Sequence, residues 1–261
     1  MNPHSRLDTS LRLHTPCTPG EKIQQLQGVV ALTGVTGDVS TMVTVVEVYN
    51  NIPHDPRLIP EWGFSCYIEE AGLLFDTGGD GRILLSNMQT LGIQPRDLET
   101  LVLSHDHWDH NGGLLALFEA GASPDVYVLR AFSEETLELV ERYATPVYVE
   151  GWTEITDTIA TTGPLGDAIV EQSLAIRSRG GLFIITGCAH PHIGTILRYA
   201  SSKGEVWGAM GGFHTMSADD IEALTSLSYV SASHCTQGLE TIIKKIPETY
   251  APGGAGKVHA L

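Results

Sequence analysis

One unit recurs along the chain: a short apolar run, a tight turn, a histidine, then a stretch with helical spacing. Residues 42–48, 64–69 and 73–75 read as strands, with Gly72 turning between the last two. Asp76-Thr77-Gly78-Gly79 closes them with turn residues. Residues 82–91 carry helical spacing and stop at Gly92. A short strand at 101–103 runs straight into His105-Asp106-His107-Trp108-Asp109-His110. After Asn111-Gly112-Gly113 a helix starts at 114–118. Further strands are expected at 126–129, 182–186, 205–210 and 229–232. Helices are expected at 133–143, 193–200, 217–224 and 238–246, with Ser217 as an N-cap. The strand ends lead to His105, His190, His214 and His234, and such turns can converge on one edge of a sheet.

Strands and helices mix throughout, without repeats or low-complexity tracts, so the pattern predicts an α/β (α+β) fold with layered sheets. Residues 1–40, with Pro3, Pro16 and Pro19, are expected to form a weakly structured leader, and 41–261 the folded domain. The stretch 123–179 is expected to shape a pocket.

Composition narrows the chemistry. The chain has 261 residues, enough to bury a sizeable core. Lys plus Arg total 15 against 31 Asp plus Glu, a formal charge of -16, so a nucleic-acid substrate is not expected. Bound divalent cations would reverse the sign locally. Cys17, Cys66, Cys188 and Cys235 form no C-x-x-C pair, which suits reduced thiols in a cytoplasmic protein. Cys188 and Cys235 each lie within two residues of a strand-end histidine, and buried packing is the first reading of both. No apolar stretch reaches the length of a membrane span, so no membrane partner is expected.

The strongest chemical signal is His105-x-His107-x-Asp109-His110. Imidazoles two apart in an extended turn can face the same way and grip one ion. Asp109 and His110 lie further round and can face a second. A solvated polar loop is the competing reading. Two imidazoles alone bind weakly, and a catalytic site usually has three protein ligands, so His190 and His234 are natural completions. His214 has the same context. His4, His14, His54, His192 and His259 read as packed or surface histidines.

These residues resemble the metallo-β-lactamase superfamily, from about Met42 onward. The carriers are Asp76-Thr77-Gly78, the His105–His110 run and the later single histidines. Glu171-Gln172-Ser173-Leu174, Gly187-Cys188-Ala189-His190, Gly211-Gly212-Phe213-His214 and His234-Cys235-Thr236 are similar to the dihydropterin–ribofuranosylaminobenzene phosphate synthase-like branch. The resemblance implies an αββα sandwich with a two-metal site at one edge. It implies His105, His107 and His190 on one ion, and Asp109, His110 and His234 on the other. It places Asp76 behind the ligands, orienting them. Two divalent ions are expected, zinc first, with manganese or iron as alternatives. Many members carry a bridging Asp where this chain has Gly212-Phe213-His214, which makes His214 a possible ligand. The branch often has Gly where Asp106 and His192 stand.

The expected activity is hydrolysis of a small-molecule ester, lactone or phosphoester by metal-activated water, with Asp109 orienting it, or a related pterin-type, phosphate-displacing condensation. The alternatives are a nuclease of the same superfamily and a non-catalytic metal-binding or redox-responsive module. Flavodiiron-type chemistry on iron would want a flavin partner domain, for which the chain is expected to have no room.

Overall fold

Residues in the middle strands are buried on both sides. In β3 (Leu73–Phe75), Leu73 and Phe75 face one apolar cluster and Leu74 another. In β10 (Gly181–Thr186), Phe183 and Ile185 join the cluster of Leu73 and Phe75, while Leu182 and Ile184 face outward to a third. A strand covered on both faces reads as a continuous apolar run rather than an alternation, which is how both stand out in the sequence.

The computed structural model describes residues 42–261. The expected leader, 1–40, lies outside the described residues. One sheet has seven strands in the order β13 (Val258–Ala260), β1 (Thr44–Asn50), β2 (Phe64–Ile68), β3, β4 (Thr100–Val102), β5 (Asp125–Val128) and β6 (Thr145–Tyr148). The other has six, in the order β12 (Tyr229–Ser233), β11 (Val206–Gly212), β10, β9 (Leu174–Ser178), β8 (Ile159–Thr161) and β7 (Thr153–Glu154). Phe64, Phe75 and Val102 from the first sheet meet Ile176, Phe183 and Met210 from the second in one buried cluster.

Helices cover both outer faces. On the first sheet, α1 (Gly81–Leu91), α3 (Leu114–Glu119) and α4 (Glu134–Tyr143) bury Leu84, Met88, Leu117 and Val140. On the second, α5 (Ile193–Ser201), α6 (Ala218–Thr225) and α7 (Leu239–Lys245) bury Ile193, Ile196, Leu224 and Ile242. The layers are therefore helix, sheet, sheet, helix, the αββα sandwich that the resemblance implied. Ser217 caps α6 as expected, in a reciprocal box with Asp220, and Gly92 ends α1 at a left-handed φ of 80°.

Five strands are absent from the sequence reading, and each has a reason. β6 is an edge strand containing Pro146, and β7 and β8 have two and three residues. β13 is an edge strand of three residues, and β9 lies in the stretch expected to shape a pocket. That stretch supplies strands to both sheets. A single helical turn, α2 (Trp108–Asn111), lies inside the histidine run.

β3 to β6 are mutually parallel, and so are β10 to β12. Their carboxyl ends lead into Asp76, the His105–His110 run, His190, His214 and His234. This is the edge at which open α/β sheets carry their sites.

Candidate metal centre

The chain leaving β4 places two imidazoles side by side. His105 Nε2 lies 3.1 Å from His107 Nδ1. The His190 ring, delivered by the turn after β10, sits 4.8 Å from the His105 ring and 5.0 Å from the His107 ring, centroid to centroid. One turn of helix carries Asp109 and His110 to the other side. Asp109 Oδ2 is 3.8 Å from His110 Nε2 and 3.4 Å from His234 Nε2, which comes from the end of β12. The structure thus brings together all six residues expected as ligands. Two donor groups, each with its ligand atoms within 4.8 Å of one another, are Asp109, His110, Cys188 and His234, and His105, Cys188 and His190. His107 belongs to neither, though its Nδ1 lies 3.1 Å from His105 Nε2, and nor does His214. It is partly exposed at φ 43°, its ring 4.9 Å from that of His190.

Each donor is held from behind. Asp76 accepts from the Ser104 backbone N–H and hydroxyl, both at 2.7 Å, and from His110 Nδ1 at 2.7 Å. That last bond fixes the tautomer and leaves His110 Nε2 facing the site. Ser104 Oγ lies 2.8 Å from His105 Nδ1 and does the same there. A side chain at Gly187 would collide with that hydroxyl, which keeps the position bare.

Three supporting residues carry no sequence signal for a role. Asn51 Oδ1 lies 2.9 Å from His234 Nδ1, across 183 positions of chain. Trp62 Nε1 donates to Asp109 Oδ2 at 2.9 Å. Glu171 accepts four consecutive backbone N–H groups, those of Gly187, Cys188, Ala189 and His190, at 2.9–3.0 Å. The sequence quartet beginning at Glu171 marks the place but not the purpose. Asp106 turns away from the site and accepts from Asn111 Nδ2, the Ser133 N–H and Thr136 Oγ1, tying the histidine run to α4. Asp76, Ala189 and His234 hold φ of 58°, 55° and 51°. Non-glycine residues adopt that region at a cost of about 1–3 kcal/mol, and they do so mostly at functional sites.

The donor set fits metal cations. His190 Nε2 and His234 Nε2 are buried and find no hydrogen-bond partner among the described residues. A buried polar atom without a partner is costly, and a cation is the partner that these neighbouring lone pairs share. Burial, and then the crowding of imidazoles, lowers the pKa of His105 and of His190, the latter to about 4. Burial also lowers His107 and His234. Neutral imidazoles are the form that binds metal. Burial opposes charge on His110 too, but Asp76 outweighs it and raises that pKa. Burial likewise works against an ionised Asp109, yet the His234 and His110 imidazoles hold it below the carboxylate range.

A pH dependence follows for protein stripped of cations. Between about 4 and 6.5, the unfolded chain takes a proton at His190 that the folded chain refuses. The unfolded state then binds more protons, so stability falls as pH falls through that window. His105, His107 and His234 act in the same direction, while His110 and the buried Glu171, whose pKa values are raised, oppose them. Urea midpoints of chelator-treated protein should drop from pH 6.5 to pH 4. A flat profile would contradict the assignment of neutral imidazoles.

The model of the metallo-beta-lactamase superfamily matches residues 65–204. The chain belongs to this superfamily. A 7,8-dihydropterin-6-methyl-4-(beta-D-ribofuranosyl)-aminobenzene-5'-phosphate synthase of Methanocaldococcus jannaschii is 25% identical over 257 residues, covering 75% of this chain and 87% of its own. The crystal structure of Tm1679, described as a metal-dependent hydrolase of the beta-lactamase superfamily, matches with a TM-score of 0.70 at 26% identity. That match covers 84% of this chain and 99% of the other. The fold is shared as well by YhfI from Bacillus subtilis, at a TM-score of 0.61 and 12% identity over 84% of this chain and 99% of that one. No helix among the described residues is long and apolar enough to cross a membrane.

Proposed function

We propose that this protein is a cytoplasmic, dinuclear metal-dependent hydrolase acting on a small-molecule ester, lactone or phosphoester. The observation that carries the reading is the pair of buried, unpartnered nitrogens, His190 Nε2 and His234 Nε2, one on each side of the donor cluster. His105, His107 and His190 would hold one ion, and Asp109, His110 and His234 the other. Zinc suits three imidazoles, and an imidazole pair with a carboxylate, with manganese or iron as alternatives.

Divalent ions at such a site supply Lewis acidity and make water a nucleophile at neutral pH. The chain's own residues do the positioning. Trp62 holds Asp109 Oδ2, leaving Oδ1 to orient the attacking water and take its proton. Asp76 and Ser104 fix the ring orientations of His110 and His105, and Asn51 that of His234. His214, whose ring lies 4.9 Å from that of His190, would touch substrate.

A second reading, a pterin-type condensation that displaces phosphate, draws support from the 25% identical synthase. The acidic charge of -16 weighs against a nuclease. The test is a chelator followed by metal restoration, read on a panel of esters, lactones and phosphoesters beside a dihydropterin diphosphate. Turnover of a panel member should vanish with the metal and return with about two zinc ions per chain. Diphosphate release that depends on an added arylamine acceptor, with the new carbon–nitrogen product formed, would favour condensation, and turnover that survives complete metal removal would end both readings.

A further inference from the structure

The two donor groups share one atom. Cys188 Sγ lies within 4.8 Å of the ligand atoms of Asp109, His110 and His234, and likewise of those of His105 and His190. Its distance to His110 Nε2 is 3.2 Å. Two ligands on one ion, with bonds of roughly 2.0–2.3 Å, stand about 3.3–3.8 Å apart at a tetrahedral angle, so the pair would part by only a few tenths of an ångström to share an ion. One sulfur reaching two ions at about 2.3 Å each spans roughly 3.5–4 Å between them, the separation found in two-metal sites.

The surroundings of Cys188 differ from those of Cys66. Cys66 lies among Phe64, Phe75 and Ile185 in the apolar interior between the sheets. Cys188 is equally buried, at 3% exposure, but belongs to none of the apolar clusters. Its backbone is fixed because Glu171 accepts its N–H and those of the residues on either side. His234, whose Nε2 has no hydrogen-bond partner, is 5% exposed and its donor atom lies in the same group. Position 214, where an acid was expected, places its imidazole in neither group.

From this common position we infer that the Cys188 thiolate bridges the two metal ions. The inference rests on the two-ion reading above. Cys188 binds by giving up its thiol proton to solvent as the second cation arrives, since a coordinating thiol is deprotonated. A soft sulfur donor turns the site toward zinc and iron and away from manganese. Cys235, whose Sγ lies 3.9 Å from the Cys188 carbonyl oxygen, stands outside both groups.

Cobalt(II) replacement tests this without reference to turnover. Stripped protein and its C188S, C188A and C235S variants are titrated with cobalt, reading ions per chain and the near-ultraviolet sulfur-to-cobalt charge-transfer band. Wild type and C235S should bind two ions and show the band. C188S and C188A should lose the band and bind the second ion at least tenfold more weakly. Two ions without a band in wild type would overturn the bridge and leave the two-ion reading standing. A band lost in C235S but kept in C188S would overturn it as well. Fewer than two ions in wild type would overturn the two-ion reading and the bridge together; a band there lost in C188S would make Cys188 a terminal ligand.

Discussion

Asp109→Ala is expected to lower turnover on the order of a thousandfold, about 4 kcal/mol of barrier, and to remove at least one metal ion per chain. Two losses add at this residue. Its carboxylate is the acidic donor among the imidazoles of the second group, and Oδ2 balances His110 and His234 at 3.8 and 3.4 Å. It is also the residue assigned to the proton of the attacking water. Trp62 Nε1 would lose its acceptor, and that smaller effect can be separated. Trp62→Phe should keep both ions and lower activity far less. Metal analysis beside kinetics decides the matter, and Asp109→Ala protein with two ions and near-normal turnover would remove Asp109 from the mechanism.

Glu171→Ala is expected to destabilise the fold by about 3–5 kcal/mol. Four N–H groups in succession lose their acceptor, in a turn where Glu171 is 1% exposed and water does not easily substitute. Each buried donor left unpaired costs about 1–3 kcal/mol, and partial relaxation of the turn recovers some of that. Burial itself raises the Glu171 pKa against the pull of those same N–H groups, so removing the charge returns a fraction of the loss. Glu171→Gln keeps the shape but points an amide nitrogen at some of the donors, and should fall between wild type and Ala. Denaturant midpoints measure the series, and a loss below about 1 kcal/mol for Ala would mean that the turn stands without its clamp.

What the sequence carries plainly is whatever is local. The His105–His110 run is legible because one strand end and one helical turn hold four donors. The apolar runs at β3 and β10 are legible because both faces are buried. Asn51 is invisible because its partner His234 lies 183 positions away, and an Asn after a strand is an ordinary turn residue. Trp62 is hidden for the same reason, 47 positions from Asp109. Glu171 sits among the residues that resemble the synthase-like branch, but a lone carboxylate does not announce that it will receive a turn's backbone. Asp106 and His192 show the reverse case, polar residues where the branch often has Gly. Asp106 fastens α4, and His192 Nδ1 meets Asp220 Oδ2 at 3.0 Å. Both act on loop anchorage rather than on the donor cluster.

The donor cluster draws on both halves of the sandwich. His105 to His110 leave the seven-stranded sheet, while His190 and His234 leave the six-stranded one. No fragment of the chain holds more than part of the set, and a nascent chain lacks His234 until its last strands emerge. Tight metal binding would therefore report that the two halves have closed on each other in register. A cation present during synthesis would act as a late clasp, rewarding only completed molecules and leaving half-made ones with weak, exchangeable sites.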